Sequence, residues 1–219
     1  MQLPFTIDQF FNIFRLYNEA VWPAQIALNA IGLLCVALIM KRGKWSDRSI
    51  SFFLALLWAW TAIVYHFSFF SGINPAAYGF GFIFLIEAVL LFWLGVFRSA
   101  LQFGSKPAAR AITGAALLSY SLVIYPLVNI VFAHSYPDAP TFGVPCPTTI
   151  FTIGIFFFLK EPFSRKILWI PILWSIIGSI GAILLDVPAD FGLPVAALLA
   201  LFLLPERGEK RKKPLTAAA

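Results

Sequence analysis

Long uninterrupted apolar runs recur along almost the whole chain, and they restrict the fold more than any other feature. A helix of about 17 to 25 apolar residues can cross a hydrocarbon layer of about 30 Å. The runs are continuous rather than alternating, which is typical of spanning helices and not of a membrane β-barrel. We therefore predict an all-α, polytopic membrane protein with seven transmembrane helices, at residues 21–40, 50–71, 77–97, 111–133, 144–160, 166–186 and 189–204.

The basic residues predict the orientation of these helices. Fifteen of the 16 Lys and Arg residues fall in four clusters that occupy every second connection, whereas only Arg15 lies on the other side. By the positive-inside rule, the N-terminus is outside and the C-terminus is cytoplasmic, as an odd number of spans requires. The clusters lie at residues 41–48, 98–110, 160–166 and 207–213.

Composition supports the same setting. Hydrophobic residues make up 60% of the chain and charged residues only 12%, far from the averages of soluble domains. The net charge of +6 is explained by the topology and by contact of the tail with anionic lipid. We therefore expect the lipid bilayer as a partner and no nucleic acid.

The first twenty residues differ from the apolar runs. Thr6 followed by Gln9 is the pattern of a helix capping box. Apolar residues after it share one helical face, which predicts an amphipathic helix in the outer interface: Ile7, Phe10, Phe11, Phe14 and Val21. The predicted domains are therefore this outer interfacial helix at 1–20, a transmembrane domain at 21–204, and a basic cytoplasmic tail at 205–219.

Ordered word matches between the two halves of the chain suggest an internal repeat. PAQI at 23–26 and PTTI at 147–150 each open a run, and ALLW and PILW end at Trp58 and Trp174. PAAYGF at 75–80 likewise parallels PADFGL at 188–193. One interpretation is a 3+1+3 parallel repeat, in which the fourth helix is an inverting linker; the other is chance matching in a biased composition.

Cys146 stands between two prolines where the fifth run begins. We expect Cys146 to cap that helix, because proline favours the first helical turn and restrains the residue before it. A helix N-terminus lowers the pKa of a thiol, so Cys146 is predicted to be a reactive thiol or a soft-metal ligand. The alternative is a rigid helix entry with a buried thiol. A disulfide with Cys35 is not expected, because Cys35 lies near the other end of the first run and is too far away.

Glu87 lies about ten residues into the third run, near the predicted midplane. A carboxyl at that depth is costly, so we expect it to face the interior and to serve a proton or substrate path, or to hold helices together. A second polar group gathers in the outer leaflet, and it predicts an outward-facing cavity with Asn29 and Glu87 at its floor. Its members are Asn18, Glu19, Tyr65, His66, Tyr125, Asn129 and His134.

Three stretches resemble an uncharacterised family of bacterial integral membrane proteins, catalogued as a domain of unknown function. They are YNEAVWPAQ at 17–25, YHFSFF followed by INPAAYGFGF at 65–82, and TFGVPCPTTIFTIG at 141–154. Such a family implies a multi-pass protein of the bacterial inner membrane, but no activity or catalytic residues. The predicted 3+1+3 arrangement is distantly similar to that of sugar-efflux semi-transporters and vitamin permeases, although the proline-glutamine pair of the sugar carriers is missing.

These features favour a permease or transporter-like protein that binds a small molecule or ion in an outward-opening cavity. Its expected ligand-binding residues are Glu87, Asn29, Tyr65, His66, Tyr125, Asn129 and Glu19. No cofactor, metal site or catalytic residue is predicted. Retinal proteins need a lysine in the last helix, which 189–204 lacks, and membrane zinc hydrolases of the ceramidase type need three histidines, whereas the chain has two. No nucleotide-binding motif is present either. Two alternatives stay open: an accessory or assembly subunit, with a partner membrane subunit or a homo-oligomer, and an intramembrane enzyme using Cys146 or a metal.

Overall fold

A computed structural model of the chain describes residues 4–104, 106–132 and 135–204. The predicted tail at 205–219 and His134 lie outside these residues. The all-α prediction is confirmed for the described part of the chain, which folds into eight helices: α1 (Ile7–Val21), α2 (Ala24–Met40), α3 (Ser46–Gly72), α4 (Ala77–Phe97), α5 (Ala108–Val131), α6 (Pro145–Phe156), α7 (Arg165–Leu184) and α8 (Pro188–Leu203).

Every predicted span contains a helix, but the helices differ in length. By length and composition, α3, α4, α5 and α7 are sufficient to cross a bilayer, whereas α1 and α2 form a pair bent by 90°. The predicted fifth span, 144–160, is helical only over the 12 residues of α6, which rise about 18 Å. The described residues therefore include four helices that are long and apolar enough to cross a membrane, or five if the bent pair counts as one span, and the count of seven spans stays a prediction.

The connections that carry three of the four Lys and Arg clusters meet at one end of the molecule, here named the basic end, and the fourth cluster lies outside the described residues. The connection before α5 pairs with the connection after α6, because the Lys160 N–H donates to the Gln102 carbonyl at 2.7 Å. Asp47, in the first turn of α3, accepts the Phe103 N–H at 2.8 Å. Arg110 forms a 2.6 Å ion pair with Glu161. The long helices therefore run alternately toward and away from the basic end.

Helix α6 is the centre of the fold. Nearly all of its residues are buried, since α3, α5, α7 and α8 surround it. A Cβ added at Gly114 of α5 would lie 3.0 Å from the Gly154 carbonyl, so these two helices approach backbone to backbone. Trp58 of α3 donates from its indole N–H to the Thr152 hydroxyl at 2.9 Å. A helix enclosed in this way need not reach both surfaces of a membrane.

Helix α1 begins with the predicted capping box. The Thr6 hydroxyl accepts the Gln9 N–H at 3.2 Å, and the Gln9 side chain accepts the Thr6 N–H at 2.9 Å. Phe10 and Phe14 of the predicted apolar face are buried, whereas Ile7 is 47% exposed. The buried face of α1 packs against the last turns of α3, at the end opposite to the basic end.

The packing does not support the predicted repeat. Helix α6 packs against both α7 and α8, whereas α2 packs against α3 and makes no comparable contact with α4. The two opening helices also differ, at 17 residues for α2 and 12 for α6. Pro23 precedes α2, while Pro147 lies inside the first turn of α6. The short word matches therefore do not mark two equivalent triplets of helices.

Candidate binding cavity

A cavity of about 290 Å³ lies at the end of the molecule opposite to the basic end. Helices α1, α3, α4, α5, α6 and α7 and the first turn of α8 contribute to its wall. Its lining is mostly apolar. Eight lining residues with aromatic rings or polar groups are central to the site: Phe10, Phe14, Tyr65, His66, Tyr125, Cys146, Trp174 and Asp190. We refer to it as the outer cavity, after the side on which the sequence places it.

Aromatic rings form one side of the outer cavity. The His66 ring lies 4.9 Å from the Phe84 ring and 5.3 Å from the Trp174 ring, both edge to face. On the α1 side, Phe14 stacks on Tyr65 at 5.8 Å. In edge-to-face pairs the positive edge of one ring faces the negative face of the next, so the rings present both faces and edges to the cavity.

Part of α3 is wound as a π-helix, and this segment carries two of the lining residues. It runs from Thr61 to Phe69 and includes Tyr65 and His66. A π-helical segment inside an α-helix rotates the side chains that follow it and is frequent at functional sites. The His66 ring nitrogens are buried and have no hydrogen-bond partner among the described residues.

Polar groups meet beside the Trp174 ring, in another part of the wall. Tyr125 of α5 donates a 2.5 Å hydrogen bond from its hydroxyl to the Asp190 carboxylate, and Tyr120 donates to the Ala189 carbonyl at 2.8 Å. The Cys146 thiol has the Asp190 carboxyl and the Trp174 indole N–H as polar neighbours. Three helices thus place a carboxyl, a phenol and a thiol together, a set we name the Asp190 cluster (Tyr125, Cys146 and Asp190).

Local backbone chemistry explains why both tyrosines reach this cluster. A π-helical turn, Tyr120–Ile124, precedes Pro126 in α5. Proline lacks an N–H and its ring crowds the carbonyl four residues before it, which a wider turn relieves. In a π-helix residues five positions apart share a face, so Tyr120 and Tyr125 point the same way.

The start of α6 places Cys146 differently from the prediction. The helix begins at Pro145, and its N-cap is Val144, which makes no side-chain capping bond. Cys146 is therefore the second helical residue and not the cap. Its side chain is partly exposed, whereas Cys35 is fully buried, and both thiols are free.

No positive charge balances Asp190 among the residues that the structure describes. The ion pairs in that part of the chain join Arg15 to Asp138, Arg42 to Asp47, and Arg110 to Glu161, all away from the cavity. The Asp190 side chain is only 6% exposed. A charged carboxylate in such surroundings requires a counter-ion, and otherwise a proton neutralises it.

The structure brings together four of the predicted site residues, Tyr65, His66, Tyr125 and Cys146, and separates the others. Glu87 is fully buried and faces the interior as predicted, but neither of its oxygens has a hydrogen-bond partner among the described residues, and it does not line the outer cavity. Its place on α4, one turn beyond Phe84, puts it behind the aromatic wall. The predicted floor formed by Asn29 and Glu87 is therefore wrong.

The remaining predicted residues lie elsewhere. Asn29 lines two shallower pockets between α2 and the segment at 136–142. Asn129 is buried on α5 without a partner for its side-chain amide in the described part of the chain, and Glu19 is exposed on α1. Asn18 has a structural role, because its side-chain N–H groups donate to the Pro137 and Ala139 carbonyls at 2.6 and 2.8 Å.

The sequence matches the family of unknown function DUF6064 over residues 7–213. The chain belongs to that family. No curated protein and no solved structure matches it. For this DUF6064 protein, function must therefore be argued from the geometry of the site.

Two members of the site in this DUF6064 chain are not predicted from its sequence, Asp190 and Trp174. Asp190 lies at the start of the last apolar run, two residues after Pro188, where an acidic residue also serves as an ordinary helix start. The only available signal was its place between two apolar runs. Within the described ranges 4–104, 106–132 and 135–204, no three His, Cys, Asp or Glu residues are grouped as a metal site requires.

Proposed function

We propose that this protein is a permease-type membrane protein that binds a small, largely apolar solute in the outer cavity. The observation that carries the proposal is the cavity itself, with aromatic walls and a single polar cluster at one side. Small-molecule sites are typically apolar hollows with a few placed polar groups, and about 290 Å³ is at the lower end of their volumes. The solute is therefore small.

The proposal includes the topology. Seven membrane crossings, with the N-terminus outside and the C-terminus in the cytoplasm of a bacterial inner membrane, agree with the gathering of the basic connections at one end. In that orientation the outer cavity faces the outside. Helix α1 then lies in the outer interface and forms the wall between the cavity and the surface.

Glycine positions in the structure provide a clean test. A Cβ added at Gly181 of α7, which lines the cavity, meets no atom within 4 Å. Gly181→Leu therefore introduces its Cβ without a clash, adds a larger side chain at the cavity lining, and changes no residue of the Asp190 cluster. Gly79 of α4 is equally open but lies outside the cavity lining, so Gly79→Leu is the matched control.

The test compares the small molecules retained by the purified proteins, using mass spectrometry of solvent extracts. We expect at least one compound to be retained by the wild type and by Gly79→Leu and to be lost from Gly181→Leu. Equal extracts from all three proteins would contradict a solute-binding cavity.

One observation favours a second function, that of an intramembrane enzyme. Cys146 is partly exposed to the cavity and adjoins the Asp190 carboxyl, an arrangement in which a carboxylate can accept a thiol proton. An enzyme of this kind would lose turnover in Cys146→Ser, whereas a binding protein would keep its retained solute. The same extracts, searched for converted products, distinguish the two.

A further inference from the structure

The chemical class of the solute follows from the charge and the walls of the outer cavity. Asp190 is a buried carboxyl, and in the described part of the chain no Lys or Arg lines the cavity. The titratable groups around it are neutral acids, namely Tyr65, Tyr120, Tyr125 and Cys146. Within the described residues, no Lys or Arg therefore supplies a positive charge at this site.

His66 does not supply that charge. Its ring packs among the rings of Phe80, Phe84 and Trp174, and neither nitrogen has an acceptor within hydrogen-bond distance among the described residues. An imidazolium there would bury two donors without partners. The wall thus offers ring faces and edges, and no fixed cation.

Aromatic rings around a carboxylate are the surroundings that favour an organic cation. The faces of aromatic rings such as Trp and Tyr attract a cation through the ring quadrupole, which aliphatic side chains lack. The carboxylate provides the balancing charge, and the apolar surfaces match the hydrocarbon part of the ligand. An anionic solute would meet Asp190 with no positive group to offset it.

We propose, resting on the function argued above, that the solute is a small organic cation, a protonated or quaternary amine on an apolar skeleton, with Asp190 as its counter-ion. Tyr125 orients the carboxylate by its hydrogen bond, and Trp174 and Tyr65 supply the ring surfaces. In the empty cavity a proton on Asp190 takes the place of the cation, so the cation and the proton compete for one carboxylate.

The test uses two probes of the same shape. Benzyltrimethylammonium carries the charge, and neopentylbenzene has carbon in place of its quaternary nitrogen. Binding to the full-length protein in lipid nanodiscs is measured by titration calorimetry, and empty nanodiscs correct for partition into lipid. Asp190→Asn keeps an acceptor for the Tyr125 hydroxyl and therefore the fold, and Asp186→Asn is the control, because Asp186 is exposed in the connection just before α8.

We expect saturable binding of the cation to the wild type and to Asp186→Asn. Binding should be weaker by about tenfold or more in Asp190→Asn, and weaker for the neutral probe in the wild type, because the bound cation loses its desolvated partner. Affinity for the cation should also rise with pH.

Equal binding of both probes, unchanged by Asp190→Asn and abolished by Gly181→Leu, would contradict the cationic ligand but would still support a binding cavity. Absence of binding of either probe would also overturn the cationic ligand, and the retained-solute comparison then decides independently whether the cavity binds any solute.

Discussion

The Tyr125 hydroxyl donates a 2.5 Å hydrogen bond to the Asp190 carboxylate, although 65 positions separate the two residues in the sequence. The bond joins α5 to the first turn of α8 beside the outer cavity. It holds the buried carboxylate in one orientation, because Tyr125 is itself only 1% exposed. A polar contact made in apolar surroundings has few alternatives, so it defines the geometry of that wall.

Tyr125→Phe tests the structural weight of this contact. The substitution removes one hydroxyl and leaves a buried carboxyl without its donor, so we expect a loss of about 1 to 3 kcal/mol in the free energy of unfolding. Thermal or denaturant unfolding of the purified protein measures it. Tyr78→Phe is the control, because Tyr78 is 55% exposed and its hydroxyl makes no hydrogen bond in the described residues. Equal stability of the two variants would show that the contact contributes nothing.

The two cysteines should differ in their reactivity. Cys146 is partly exposed at the outer cavity, whereas Cys35 is fully buried among apolar side chains of the core. An impermeant maleimide added to intact cells should therefore label the wild type and not Cys146→Ser. Labelling of both proteins, or of neither before denaturation, would contradict the accessible thiol and the outward position of the cavity.

We expect the buried Glu87 carboxyl to reduce the free energy of unfolding of the protein. Its carboxyl is fully buried and has no hydrogen-bond partner among the described residues, so each form of the group is poorly solvated. Glu87→Met, of similar volume, should raise the free energy of unfolding by about 1 to 3 kcal/mol, while Glu87→Gln should stay near the wild type. Glu19→Met on the exposed face of α1 should change stability by less than about 0.5 kcal/mol. A destabilised Glu87→Met would reveal a partner for Glu87 in the membrane.

The proposed orientation has its own test. A reporter fused after Ala219 should give a cytoplasmic signal, because the basic connections and the tail are predicted to lie on the cytoplasmic side. A periplasmic signal would invert the protein and place the outer cavity on the cytoplasmic side.

Some of the site could be read from the sequence, and some could not. Depth along a helix follows from counting residues, and counting correctly grouped Tyr65, His66 and Tyr125 and placed Cys146 at the same end. Rotation about the helix axis does not follow, because a run that is apolar on all sides gives no periodicity from which to orient Asn29 or Asn129. The π-helical turns in α3 and α5 shift these directions further, and only the turn in α5 has a signal in the sequence, the following Pro126.

Asp190 is a site residue whose position at the cavity could not be predicted from the sequence. In sequence it is an acid at the edge of an apolar run, where solvent exposure is the ordinary expectation, whereas Glu87 in mid-run is conspicuous. Tertiary packing reverses the two roles, because the first turn of α8 is enclosed by Tyr120 and Tyr125, while Glu87 lies behind the wall formed by Phe84. Which carboxyl adjoins a cavity is decided by helix packing and not by depth.

The most direct test of the central claim is solute uptake into right-side-out and inside-out membrane vesicles that contain the protein. Vesicles with the wild type and with Gly79→Leu should accumulate at least one organic cation from a defined mixture, with a rate that differs between the two vesicle orientations. Vesicles with Gly181→Leu should match vesicles without the protein. Uptake that is the same for all of these vesicles would contradict a carrier function for the outer cavity.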